Sequence, residues 1–271
     1  MEMKRHKLSE YKQSFGLVSK EYKKYRGEYN AKLFANLFSL LRVRKGESIS
    51  ILDLGCGVGN STEPLFRMGM KRRSSISIVG CDIDARMIRE ARAGALKAKL
   101  PATYVIGKAE KLPFKREQFD LVISGAAFHW FATKTAMKEV YRVLKPGAAY
   151  AVFWIQNVSE KNVVFGQELY RKYKWQGIPR DLRNPKNVKK ILIENGFMKV
   201  SIMKIPNTER RSMEETLGLI KTNSSYALLS PADKKIFIQE MRREYRKVLG
   251  NKTDTVWQEF NVCYGRKAAN D

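Results

Sequence analysis

With 271 residues and 44% apolar content, the chain is long enough to bury a sizeable core and too apolar to stay disordered. No apolar run approaches the roughly 20 residues needed to cross a bilayer, which excludes a membrane-spanning helix. Lysine and arginine number 52 against 27 acidic residues, a formal charge of +25; a field of that sign draws polyanions and small anions.

The positive charge is distributed, with clusters at 20–26, 71–73, 171–174 and 242–247, and it forms no single basic arm. That pattern favours solvated helix faces over a nucleic-acid track, although nucleic acid stays open as a partner. Cys56, Cys81 and Cys263 show no metal-ligand spacing, so the expected setting is reduced and cytoplasmic, without a metal. The start of the chain is basic but lacks the apolar core of a signal peptide.

Residues 1–27 are polar, basic and aromatic, with Tyr11, Phe15, Tyr22 and Tyr25 interspersed. They read as a lead-in that folds over a pocket. From Tyr29 to Arg44, Leu33, Phe34, Leu37, Phe38, Leu40 and Leu41 recur at helical spacing. An apolar strand follows at 49–54 and breaks into Gly55-Cys56-Gly57-Val58-Gly59-Asn60, which opens a helix over 61–68. Glycines at such a turn allow positive φ and let a ligand lie against main-chain N–H groups.

A second strand, 76–81, ends at Asp82, about 20 residues beyond the glycines, where an α/β fold places an acceptor for ribose hydroxyls. Asp84 caps the helix expected over 85–98, and Thr133 the one over 133–144. Strands are expected at 103–106, 119–124 and 148–155. Strands alternating with helices predict a parallel sheet with its ligand at the carboxyl ends, and the glycine turn and Asp82 both fall there.

The second half is organised differently. Asn184-Pro185 opens a helix that Gly196 closes, and Phe197 to Ile205 reads as a strand. Ser212 with Glu215 forms a capping box, Ser230-Pro231 starts a long helix to Leu249, and Thr255 to Gly265 reads as a closing strand.

The dinucleotide fingerprint is G-x-G-x-x-G. Here the third glycine comes one residue early, at Gly59, and the run from Asp53 to Gly59 resembles motif I of the class I S-adenosylmethionine-dependent methyltransferases. Gly80 to Met87, Gly107 to Phe114, Phe119 to Ser124 and Arg142 to Gly147 resemble that family's later motifs in order. The resemblance covers roughly residues 20 to 155 and implies a Rossmann-like, doubly wound, mostly parallel seven-stranded sheet with the last strand antiparallel, plus a helical cap.

It also implies S-adenosylmethionine as cofactor. Asp53, Gly55, Cys56, Gly57 and Gly59 would take its amino-acid end, and Asp82 its ribose. Ile83, Met87, Lys108, Ala109 and Glu110 would surround the adenine, with Ser124 below. Met87 reads equally well as a core residue. Lys108 departs from the family pattern, which commonly places an acid there; lysine accepts no hydrogen bond, so either backbone groups alone hold the adenine edge or Lys108 turns outward or pairs with Glu110.

Acceptor chemistry is expected at Ser124 to Phe131, with Phe128, His129 and Trp130 walling off solvent. His129 reads either as a base or as a positioning residue. Met213 to Tyr226 and Tyr22 to Arg26 are similar to the trans-aconitate methyltransferase group, with Gly27 replacing its usual proline. That likeness points to a small anionic acceptor methylated at oxygen, with Arg26, Arg210, Arg211 and Tyr226 at the pocket mouth. RNA as substrate, and a non-catalytic cofactor-binding partner, are the alternatives. The expected organisation is a lead-in over 1–27, a core over 28–205, a helical cap over 206–250 and a closing strand over 251–271. Oligomeric state is not readable from the sequence.

Overall fold

The computed structural model describes residues 14–26, 29–41, 47–71, 75–158, 164–173, 175 and 180–269. Tyr11, Gly27 and the end of the helix expected up to Arg44 lie outside them. The chain forms two compact units. The larger comprises 28–155, 178–205 and 260–271; the smaller comprises 1–27, 156–177 and 206–259. The units divide at 205 and at 259, residues 156–177 belong to the smaller unit, and the chain past 205 continues as strand to Arg211.

The sheet holds β1 (Ile49–Leu54), β2 (Ile76–Asp82), β3 (Thr103–Ile106), β4 (Phe119–Gly125), β5 (Leu144–Asn157), β6 (Met198–Arg211) and β7 (Asp254–Arg266) in the order β3-β2-β1-β4-β5-β7-β6. Six strands are parallel and one is antiparallel, with helices on both faces. β7 is the antiparallel strand. Gly147 N–H donates to the Ala268 carbonyl and Lys267 N–H to that of Ala148, so the β7 partner falls by one as the β5 residue rises by one.

Around the larger unit run α2 (Ala31–Ser39), α3 (Thr62–Lys71), α4 (Ala85–Lys97), α5 (Lys134–Val143) and α7 (Pro185–Glu194). Asn30, Asp84, Thr133 and Asn184 cap four of them, each side chain accepting a backbone N–H of the first turn.

The central strands are covered on both sides, which is why they read as continuous apolar runs. Ile51 pairs with Leu121 and Leu52 with Val122, so successive residues feed opposite cores. Ile51, Leu121, Ile123 and Phe153 pack with Leu33, Phe34 and Leu37 of α2 and Leu65 of α3. Leu52, Val122, Tyr150 and Val152 pack with Met137 and Val140 of α5 and Val188 and Leu192 of α7. Ile51 and Leu52 are wholly buried, each worth about 1.5–3 kcal/mol of transfer free energy.

The smaller unit contains α1 (Ser19–Tyr25), α6 (Gln167–Lys172), α8 (Met213–Lys221), α9 (Ser224–Ala227) and α10 (Pro231–Leu249). Its core is aromatic: Trp175 stacks on Phe237 at 5.1 Å, and Tyr173, Tyr226, Leu217 and Met241 surround them. Ser212 and Glu215 form the reciprocal capping box of α8. In α10, Ser230 Oγ accepts the Asp233 N–H, and Pro231 begins the helix.

Candidate functional site

Three carboxyl-terminal strand ends meet at the turn after β1. Gly55, Gly57 and Gly59 all take positive φ, at 75°, 54° and 85°. Gly55 lies so close to the segment after β4 that a Cβ there would sit 2.4 Å from the Ala127 Cβ and 3.3 Å from the Phe131 ring. A Cβ on Gly57 would meet Met87 Cε at 3.2 Å. The glycines are therefore forced by close approach as well as by φ.

The loop's donors are largely committed inside the protein. Gly55 and Cys56 N–H both reach the Cys81 carbonyl, at 2.7 and 3.2 Å, and Gly59 N–H reaches that of Cys56 at 3.0 Å. Gly57 N–H donates to Asp82 Oδ2 at 2.9 Å. The loop is tied down by its own donors, so it offers a ligand closeness and carbonyl oxygens, which suit an ammonium better than a phosphate.

Asp53, one residue before the end of β1, is a wholly buried carboxylate. Its Oδ2 accepts from Ser61 at 2.6 Å and Thr62 at 2.7 Å, while Oδ1 is buried without a hydrogen-bond partner. Desolvation pushes its pKa up to about 6 against the pull of the two hydroxyls, and nearby Asp82 adds to the rise. A buried acceptor with one oxygen unsatisfied fits a cationic amino group.

Asp82 ends β2. Burial raises its pKa, while the N–H groups of Asp84 and Gly57 lower it. Ile83 stands exposed beside it and Met87 is buried. This exposed and buried apolar pair lies on the same strand-to-helix turn.

The loop after β3 is fixed from below. Arg142 donates to the carbonyls of Phe114 at 2.8 Å and Leu112 at 3.1 Å, and Glu139 accepts the Leu112 N–H at 2.8 Å. Gly107 N–H reaches the Asp82 carbonyl at 3.0 Å. Ala109 is buried and Glu110 half-buried, whereas Lys108 is exposed, its carbonyl accepting the Lys111 N–H.

Near the end of β4, Ser124 is buried and accepts from the Tyr150 hydroxyl at 3.1 Å. Ala126 sits in the left-handed region at φ 50°, its N–H held by the Phe153 carbonyl at 2.7 Å. Phe128 is buried, and His129 and Trp130 are half-buried with ring centroids 4.7 Å apart. Asp53, the glycines, Asp82, Met87 and the segment around Ala127 and Phe131 thus converge within the larger unit.

Arg26 and Tyr226 belong to the smaller unit. Arg26 Nε donates to Thr222 Oγ1 at 2.9 Å, and its guanidinium lies over the Tyr22 ring at 5.1 Å. Tyr226 is buried, with the Lys234 ammonium 5.7 Å from its ring centroid. Arg210 reaches Thr253 Oγ1 at 3.2 Å, and Arg211 pairs with Glu209. Ser61, Thr62 and Tyr104, which the sequence reading passed over, also belong to the larger unit's site. Ser61 and Thr62 carry a local signal, as hydroxyls at a helix start eight and nine residues after a buried acid. Tyr104 carries none.

Among the described residues no cluster of His, Cys, Asp and Glu is arranged to hold a metal, and no helix is long and apolar enough to cross a membrane.

The family model described as a methyltransferase domain matches residues 52–152. An uncharacterised methyltransferase of Schizosaccharomyces pombe is 28% identical over 218 residues, covering 80% of this chain and 81% of that protein. Malonyl-[acyl-carrier protein] O-methyltransferase of Herminiimonas arsenicoxydans is 33% identical over 143 residues, 53% of this chain and 49% of that one. Among solved structures, a Haemonchus contortus phosphoethanolamine N-methyltransferase holding S-adenosylhomocysteine superposes with a TM-score of 0.55 at 15% identity, covering 94% of this chain and 58% of that one.

Proposed function

We propose that this chain, a class I methyltransferase that uses S-adenosylmethionine as its cofactor, transfers the methyl group to oxygen of a small anionic acceptor. The observation that carries the reading is the segment from Ser124 to Phe131, which offers one imidazole and no carboxylate. A nucleophile that must lose a proton during attack needs a base in reach. A carboxylate acceptor is ionised at neutral pH and needs none. The charge of +25 favours that acceptor, and so does the likeness to a relative named as an O-methyltransferase of a malonyl group.

S-adenosylmethionine supplies a methyl group on a positively charged sulfur, already activated for in-line displacement. The protein's part is to bind, align and exclude water. Asp53 Oδ1 accepts from the cofactor ammonium, and the carbonyls of Gly55 to Gly59 line its amino-acid end. Asp82 accepts from the ribose hydroxyls while keeping its hold on Gly57. Ile83 and Met87 flank the adenine, and the backbone at Lys108, Ala109 and Glu110 reads its edge, with Cys56 and Ser124 as small, close walls. Phe128 and Trp130 exclude water from the methyl, and His129 orients the acceptor. Arg26, its guanidinium oriented through Thr222, and Tyr226 are the anion-recognising groups that the smaller unit offers.

Labelled cofactor incubated with fractionated cell extract and with a panel of small carboxylic acids tests the proposal. Alkali-labile label in the small-acid fraction, released as methanol from a methyl ester, is the expected result. Label in RNA, whose binding would fall steeply with salt, selects RNA as the substrate. Absence of any turnover above background selects a non-catalytic binding role.

A further inference from the structure

The glycine loop rests on a residue from two strands away. Tyr104 pairs with Gly80 across the parallel β2–β3 ladder, and its ring crosses that glycine. A Cβ on Gly80 would lie 2.6 Å from Tyr104 Cδ1. The ring continues towards the loop after β1 and ends against Gly59, where a Cβ would lie 2.5 Å from the hydroxyl oxygen and 3.2 Å from Cζ. Its base is fixed as well, since Arg92 Nη2 donates to the Tyr104 carbonyl at 2.7 Å. The side chain is 3% exposed and packs with Cys56, Ile88, Ala91 and Ala95. The hydroxyl is buried beside Thr62, whose own hydroxyl donates to Asp53.

We propose that Tyr104 is a positioning residue for the cofactor. It fills the room beside Gly59, makes the third glycine of the loop obligatory, and holds the turn in the left-handed course on which Asp53 and Gly55 to Gly57 take their places. The early third glycine, which sets this loop apart from a dinucleotide turn, is thereby explained by a neighbour's hydroxyl. The effect on cofactor runs through Gly59 and requires no contact between Tyr104 and the ligand.

A double-mutant cycle on the full chain tests this, with calorimetric binding of S-adenosylhomocysteine and thermal unfolding of the ligand-free protein as separate readouts. Gly59→Ala places a methyl 2.5 Å from the hydroxyl and is expected to weaken binding on the order of 100-fold. Tyr104→Phe keeps the ring and deletes the clashing atom. It is expected to bind within about 3-fold of wild type. In the double variant the nearest atom becomes Cζ at 3.2 Å, and at least about 5-fold of the lost affinity is expected back.

The backbone strain of alanine at φ 85° is common to both backgrounds and cancels in the cycle. Additive losses, with no recovery in the double variant, overturn the proposal. Should Gly59→Ala alone fail to fold, recovery of folding by Tyr104→Phe reports the same coupling and continued failure overturns it.

Discussion

Asp82 Oδ2 accepts the Gly57 N–H at 2.9 Å while Oδ1 accepts that of Asp84 at 2.9 Å, so one carboxylate joins the glycine loop to the start of α4. Each carboxylate oxygen offers two acceptor sites, so acceptor capacity remains for a ribose hydroxyl beside these bonds and that from the Ile83 N–H. Asp82→Asn turns one of these acceptors into a donor facing a backbone N–H. Hydrogen bonds to a charged group are worth about 1.5–3 kcal/mol each, so S-adenosylhomocysteine affinity is expected to fall about 100-fold by calorimetry. A loss under about 3-fold would place the ribose contact elsewhere.

On the proposed reading, Asp53 gives up stability for binding. Its pKa stands at about 6 in the folded chain against 3.8 for an ordinary aspartate, so the folded state holds this proton more tightly than the unfolded one. Below pH 3.8 both states are protonated and burial of this group costs nothing on that account. As pH rises to 6 a penalty of up to about 3 kcal/mol develops, and it persists above. Asp53→Asn is therefore expected to melt no lower than wild type at pH 7.5, and to lose the stability gain that wild type shows between pH 7 and 5. The ligand ammonium favours the ionised form. Wild-type affinity for S-adenosylhomocysteine is expected to drop about tenfold per unit below pH 6, and the asparagine variant to bind weakly at every pH. A wild-type affinity flat from pH 7 to 5 would remove Asp53 from the ammonium contact.

Much of this was legible in the chain because the strongest signals were local. Apolar runs of buried parallel strands, glycines at a positive-φ turn, and polar caps such as Asp84 and Thr133 each act over a few residues, and β1, α4 and the capping box at Ser212 formed where those signals lay. Contacts between distant segments were not legible. Nothing near Tyr104 in sequence says that its ring ends at Gly59, nor that Arg142 holds the Leu112 and Phe114 carbonyls. The donor accounting of the loop was hidden for the same reason, since the Cys81 carbonyl and Asp82 arrive from β2. The run 206–211 continued β6 because a strand already paired with β7 extends more readily than a new helix nucleates before the Ser212 cap.

Lys108 stands exposed where the family pattern has an acid, and the neighbouring backbone is fixed by Arg142 and Glu139. On the proposed reading the adenine edge is met by main-chain groups and the lysine side chain is dispensable. Lys108→Ala is expected to change S-adenosylhomocysteine affinity by less than about 2-fold, the scale of an exposed side chain away from a packed feature. A loss of tenfold or more in the same titration would show that the lysine reaches the ligand.

Thr222 is wholly buried, accepting from Arg26 Nε at 2.9 Å and donating to the Leu219 carbonyl at 2.6 Å. Valine preserves the shape and deletes both bonds, leaving the Arg26 donor without this acceptor. Thr222→Val is expected to cost about 1–3 kcal/mol in denaturant unfolding, whereas Thr222→Ser should recover most of that. Equal stability of the valine variant and wild type would mean that Arg26 is held by its other neighbours.

His129 decides between an acceptor that attacks already ionised and one that must surrender a proton. The imidazole is half-buried against Trp130 at 4.7 Å, which suits it to orient a bound acid. With a carboxylate acceptor and saturating cofactor, kcat is expected to show no limb near pH 6.5, the ordinary histidine value. His129→Asn keeps a polar side chain of similar reach and is expected to lower kcat by less than about 10-fold, below the 10²–10⁴ typical of removing a general base. The limb arising from Asp53 near pH 6 then belongs to kcat/KM for the cofactor alone, because saturation holds Asp53 ionised. A kcat limb near 6.5 that vanishes in the asparagine variant, with a fall of 100-fold or more, would make His129 the base and replace the carboxylate acceptor by a protonated nucleophile.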